Sequence, residues 1–98
     1  MTDISPADLK ARPDQGETPT VIDVREEWEF EEKNIGAKLI PLGDIPQRLS
    51  ELEELKDQEI IVHCKAGGRS AQAQKFLKSK GFSNVRNLTG GIEAYLAL

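Results

Sequence analysis

The residues best placed to do chemistry sit in one stretch, Cys64-Lys65-Ala66-Gly67-Gly68-Arg69-Ser70, which holds the chain's single cysteine. It follows Glu59-Ile60-Ile61-Val62-His63, the clearest strand signal in the sequence, and leads into a helical pattern from about Ser70 to Lys80. In a tight glycine-containing turn between strand and helix, successive backbone N–H groups can curl around one point, and the helix dipole adds positive potential there. Lys65 and Arg69 bring two full positive charges nearby. Each of these features favours thiolate over thiol at Cys64, and the thiolate is the nucleophilic form. Gly67 and Gly68 are expected to take left-handed angles and so let the backbone approach the sulfur closely.

Such a ring of donors suits a terminal persulfide sulfur or the anionic oxygens of a donor such as thiosulfate. The bland alternative is a small buried hydrophobe beside a glycine turn, and for a lone cysteine that alternative is the better one. The basic residues and the helix start around Cys64 reverse the preference. One cysteine cannot form an internal disulfide, and with one neighbouring histidine it cannot complete a zinc site of the usual ligand count, which leaves a buried inert thiol or a reactive one. A Cys–His dyad is not expected either. Adjacent strand residues point to opposite faces, so His63 should turn away from the thiolate and serve as a packed or capping residue.

The flanking sequence supplies the frame that must position this loop. Ser5-Pro6-Ala7-Asp8-Leu9 reads as a capped helix start, with Pro6 at the first helical position and the helix ending near Arg12. Thr20–Val24, Lys38–Leu42, Glu59–His63 and Val85–Leu88 are strand-length apolar runs. Helices are expected over 26–33 and 70–80, and a short terminal one carries Ile92, Tyr95 and Leu96. Gly81 fits the left-handed cap of the second of these, with Phe82 set to touch Leu77. Ile45, Leu49, Leu52 and Leu55 predict an amphipathic helix behind Asp44 and Pro46. Alternating strands and helices imply an α/β fold, a small parallel β-sheet flanked by helices on both faces, with ligands at the carboxyl ends of the strands. Cys64 lies at such an end.

Composition narrows the function classes. The 98 residues suffice for one core, so 1–98 is expected to be a single domain. A net charge of −4 argues against nucleic-acid binding, which calls for an excess of Lys and Arg on one face. The clustered acids, such as Glu26, Glu27 and Glu29, are expected to be solvated faces. No run of roughly 18 or more apolar residues could span a membrane, and Met1–Pro6 lacks the basic and apolar parts of an export signal, so a cytoplasmic location is expected.

Three ordered motifs carry a resemblance. Val21-Ile22-Asp23-Val24-Arg25-Glu26 is followed by Trp28-Glu29-Phe30, the Cys-x-x-Gly-x-Arg loop is Cys64 to Arg69, and the closing segment is Val85-Arg86-Asn87-Leu88-Thr89-Gly90-Gly91-Ile92. Together they resemble the rhodanese-homology family of single-domain sulfurtransferases over nearly the whole chain. The resemblance implies a double displacement that needs no metal or organic cofactor: Cys64 attacks a sulfane sulfur, holds it as a persulfide and releases it to a nucleophilic acceptor. It implies that Lys65 and Arg69 bind anionic donor groups and that the amides of residues 65 to 69, Ala66, Gly67 and Gly68 included, cradle the sulfur. Asn34 to Gly43 and Val62 to Lys65 are most similar to rhodanese domains fused behind E1-like adenylyltransferases of molybdopterin and thiamine biosynthesis. From that similarity the expected partners are thiosulfate or a desulfurase persulfide as donor, a ubiquitin-like sulfur-carrier protein as acceptor, and the adenylyltransferase. The chain departs from many relatives in having Asn34, Gly36 and Tyr95 where His, Pro and Trp are common. Asp23 and Arg25 are expected to form a structural ion pair, and Trp28 and Phe30 to be packing residues in the core or on the surface.

Two rivals remain: a non-catalytic interaction module that keeps the fold, and a cysteine-dependent phosphatase. The second requires five residues between Cys and Arg, and here there are four. A shorter loop makes a smaller ring of amides, suited to a sulfur atom and tight for a phosphoryl group.

Overall fold

A computed structural model describes residues 3–98. Met1 and Thr2, included in the expected domain and in the start judged to lack an export signal, lie outside the described residues. Four parallel strands, β1 (Thr20–Asp23), β2 (Lys38–Leu39), β3 (Glu59–His63) and β4 (Asn84–Asn87), form one sheet in the order β2-β1-β3-β4. Helices α1 (Pro6–Ala11), α2 (Glu27–Glu32), α3 (Gly68–Ser79) and α4 (Gly91–Leu96) occupy the connections and ends. The expected parallel α/β sheet is therefore observed.

The central strand explains the two-sided arrangement. Along β3, Ile60, Ile61 and Val62 are all fully buried, because a strand covered on both faces has no solvent side. Alternation then sorts them. Ile60 and Val62 join Ile22, Val85, Ala73, Leu77 and Phe82 on the α3 face. Ile61 joins Ile4, Leu9 and Leu88 on the other face, with Tyr95 of α4 packed against them.

Local signals act as the residues require. Ser5 Oγ accepts from the Asp8 amide at 3.1 Å and Pro6 opens α1. Glu26 and Glu29 form a reciprocal capping box at the start of α2. At the end of α3, Gly81 has φ +93° while Phe82 N donates to Leu77 O at 3.1 Å and Gly81 N to Lys78 O at 3.1 Å, the paired bonds of a Schellman cap.

Two expectations about elements are corrected. The segment behind Asp44 is not an α-helix but two 3₁₀ turns, Leu42–Asp44 and Leu49–Leu55, on either side of Pro46. Leu49, Leu52 and Leu55 are three apart, the repeat of a 3₁₀ helix, so one stripe still faces the core, with Leu52 buried and the other two half-buried. The second strand is shorter than the apolar run Lys38–Leu42. Pro41 has no N–H to give to a ladder, although Ile40 N and Leu42 N still bond to Asp23 O and Val24 O.

Candidate active site

Cys64 follows β3 directly, so its backbone is held by the sheet, and its side chain is almost wholly buried at 2% exposure. The next residues turn sharply into α3. Gly67, with φ +122°, supplies the turn; no L side chain adopts that angle readily. Its amide reaches Cys64 Sγ at 3.1 Å. Gly68 does not share this role. It is the first residue of α3, has no positive φ, and an added Cβ would meet nothing within 4 Å.

Burial is the largest influence on the Cys64 thiol and pushes its pKa up. Hydrogen bonds from the Ser70 hydroxyl and from the amides of Ser70, Gly67 and Ala66 together outweigh it and bring the thiol below its ordinary value of 9.0. The lowering thus comes first from a hydroxyl and a ring of amides, where the sequence put the side-chain charges of Lys65 and Arg69 alongside the loop. Arg69 is near enough for the sulfur to raise its own pKa slightly, yet its guanidinium is gripped by Glu29, with Nη1–Oε1 at 2.6 Å and Nη2–Oε2 at 3.0 Å. That fork pins the end of the loop to the start of α2 and holds the Glu29 carboxyl at about 2, chiefly through the Arg69 hydrogen bonds. Among the described residues Lys65 forms no ion pair, and its exposed ammonium is the loop's unneutralised cation.

His63 is fully buried and does not face the sulfur. Its Nδ1 lies 3.3 Å from the Cys64 carbonyl oxygen, and Nε2 lies 3.7 Å from Asp23 Oδ2 without a hydrogen bond. Burial, the largest cause, lowers its pKa despite Asp23, so the ring is neutral at pH 7 and packs under the loop. Asp23 and Arg25 form the expected buried ion pair, with Nη2–Oδ2 at 2.7 Å, and Arg25 also donates to the Lys33 carbonyl at 2.8 Å. Of the two placements expected for Trp28, core or surface, the structure has the surface one: it is 66% exposed and flanks a groove of about 500 Å³ that Lys65, Ile92 and Leu96 also line.

Three contributors went unassigned from sequence. Ser70 Oγ lies 3.3 Å from Cys64 Sγ, and it donates across only 2.6 Å to Asn87 Oδ1. Asn87 Nδ2 in turn donates to the Gly67 carbonyl at 3.2 Å. The third, Gly91, lets α4 close on the loop from behind: Ile92 N donates to Cys64 O at 2.9 Å and Glu93 N to Lys65 O at 3.2 Å. The Lys65 carbonyl is drawn toward α4, and the amide that follows it, that of Ala66, is one of those that lower the Cys64 pKa. The available signal was at Asn87, a polar residue two positions from Val85 and hence on its core-facing side of β4.

A parallel α/β sheet that carries a lone cysteine at a strand end, ringed by amides from a strand-to-helix turn, defines a protein built to stabilise charge on one sulfur atom. The family model of the rhodanese-like domain matches residues 5–98, and the chain belongs to the rhodanese-like family. A sulfurtransferase of Allochromatium vinosum is 33% identical over 96 residues, covering 97% of this chain and 88% of the relative. MoeZ of Mycobacterium tuberculosis, named a probable adenylyltransferase/sulfurtransferase, is 37% identical over 93 residues, covering 94% of this chain but 24% of its own. Several other relatives are also longer, and the chain spans 49% of one and 26% of another. Among solved structures, a rhodanese-like domain protein from Staphylococcus aureus superposes with a TM-score of 0.89 at 30% identity, covering 97% of this chain and 91% of that one. Membership supports sulfur transfer as the general activity, in keeping with the resemblance carried by the three motifs.

Proposed function

We propose that this chain is a sulfurtransferase domain, comprising residues 1–98, that accepts a sulfane sulfur as a persulfide on Cys64 and passes it to a nucleophilic acceptor. The observation that carries the proposal is the donor set on one sulfur: the Gly67 amide at 3.1 Å and the Ser70 hydroxyl at 3.3 Å from Cys64 Sγ. The Gly67 amide, fixed by its turn before reaction, stabilises an anionic sulfur without reorganising, and the Ser70 hydroxyl is within reach to turn its proton to the same sulfur.

With thiosulfate as donor, the Cys64 thiolate attacks the outer sulfur, a new S–S bond forms, and the original S–S bond breaks to release sulfite with its electron pair. The acceptor, cyanide or a thiolate, then attacks the terminal sulfur. Its new bond to sulfur forms as the Cys64 S–S bond breaks, and the Cys64 thiolate returns. Neither half needs an outside oxidant. Lys65 holds the anionic end of the donor, while Arg69, anchored by Glu29, closes the far side of the ring formed by the Ala66, Gly67 and Ser70 amides.

The likeness to MoeZ supports a narrower setting, in which the donor is a desulfurase persulfide in the cytoplasm and the acceptor a ubiquitin-like sulfur-carrier protein served by an E1-like adenylyltransferase. Intact mass after incubation with thiosulfate tests the core of the proposal. The expected result is a gain of one sulfur atom, absent in Cys64→Ala and removed by cyanide. No gain from either thiosulfate or a desulfurase persulfide would overturn it in favour of a docking module.

A further inference from the structure

We propose that Asn87 is a positioning residue for the nucleophile, holding the Ser70 hydroxyl proton while Cys64 sulfur is neutral and yielding it to Cys64 when that sulfur is an anion. The inference deepens the sulfur-transfer reading through the charge cycle on Sγ, but its first half concerns only thiol and thiolate.

The geometry presents one proton with three acceptors. Ser70 Oγ lies 2.6 Å from Asn87 Oδ1, 3.2 Å from the Gly67 carbonyl oxygen and 3.3 Å from Cys64 Sγ. A hydroxyl donates once. The Gly67 carbonyl already accepts from Ala71 N at 3.0 Å and from Asn87 Nδ2 at 3.2 Å, which fills its two lone pairs. The contest therefore lies between Asn87 Oδ1 and Sγ. Asn87 is oriented unambiguously, because exchanging its oxygen and nitrogen would set two carbonyl oxygens against each other. Ser70, Cys64 and Asn87 are all buried, so the groups must satisfy one another.

While Cys64 is a thiol, S–H donates to Ser70 Oγ and O–H donates to Asn87 Oδ1, an unbroken chain. On ionisation the S–H is gone, the negative sulfur attracts the hydroxyl, and Oδ1 loses its donor. Asn87 thus favours the neutral sulfur. During sulfur loading Sγ passes from anion to neutral divalent sulfur, and it returns to anion as the leaving group. The hydroxyl swings once in each direction, following the charge.

Other charged groups around the site stay in place in the comparison that tests this. They are Lys65 and Arg69 on the loop, Glu29 of α2 bound to Arg69, Asp23 at the end of β1 with Arg25 two residues beyond it, Glu93 of α4, and Asp3, whose carboxylate accepts from the Asn87 backbone amide at 3.4 Å.

The experiment follows Cys64 ionisation by thiolate absorbance and alkylation rate against pH, with no sulfur donor present, so its outcome is separate from that of sulfur transfer. Asn87→Leu is expected to lower the midpoint by about half a unit to one unit, the scale of one net hydrogen bond. Ser70→Ala is expected to raise it, and adding Asn87→Leu in that background should change nothing further. Independently of any Asn87 variant, the side-chain carbonyl carbon of Asn87 should shift in the NMR spectrum of the wild-type protein with the Cys64 midpoint, and that shift should collapse in Ser70→Ala. A midpoint in Asn87→Leu that is unchanged or higher, or a carbon shift of the same size without the Ser70 hydroxyl, would overturn the proposal.

Discussion

At the scale of single residues, the sulfur loop separates two adjacent glycines that look alike in sequence. Gly67 takes φ +122° and points its amide at Cys64, whereas Gly68 is an ordinary helical residue with open space where a Cβ would go. Gly67→Ala is therefore expected to slow sulfur loading at least about tenfold, since one hydrogen bond to a charged sulfur is worth about 1.5–3 kcal/mol. Gly68→Ala is expected to load at the wild-type rate, with stability unchanged or up to about 1 kcal/mol higher. Stopped mass analysis and denaturant titration of the two variants check this, and equal rates would remove Gly67 from the cradle. The sulfur itself was legible in the sequence, because basic residues and a helix start surround the lone cysteine and its glycine turn. The balance of influences on it was not. Lys65 and Arg69 are visible as charges, but only the folded chain sets Glu29 against Arg69 and the Ser70 hydroxyl against Sγ.

At the scale of elements, the loop is held between three of them. β3 delivers Cys64, α3 carries the far end of the loop away, and α4 clamps the loop's carbonyls from behind. The clamp depends on Gly91, which has φ +62°. A Cβ there would lie 2.6 Å from the Cys64 carbonyl oxygen and would also strike Lys65 O. Both obstacles are backbone, so neither can rotate aside. Gly91→Ala is expected to cost about 1–3 kcal/mol of stability, as overpacking does, and to impair loading because α4 must withdraw from the loop. Denaturation midpoint and loading rate are both read; wild-type values of each would show that the approach is dispensable. Elements with strong local signals, the capped ends of α1 and α3 and the run of β3, fell where the sequence put them. The segment from Ile45 to Leu55 did not, because Pro46 interrupts it and a three-residue spacing of leucines serves a 3₁₀ helix as well as an α-helix.

At the scale of the whole molecule, one four-stranded sheet serves two apolar clusters, and each face alone would be too small to stand. Leu77, on the α3 face, and Ile61, on the α1–α4 face, are both fully buried. Leu77→Ala and Ile61→Ala are each expected to cost about 2–5 kcal/mol and to preserve a single cooperative transition, because the sheet couples the two faces. Far-UV circular dichroism in a denaturant series checks both, and separate transitions for the two faces would refute the coupling.

The sequence by itself determined the class of fold, the nucleophile and the place of the loop, since periodicity, capping residues and glycine position act over a few neighbours along the chain. It did not determine that Trp28 would stand exposed beside the groove, that Asn87 and Ser70 would meet 17 positions apart, or that Gly91 would lie against Cys64. Those contacts join β4, α3 and α4 across the sheet, and only the tertiary structure decides them, because parallel pairing brings together residues that no local pattern links.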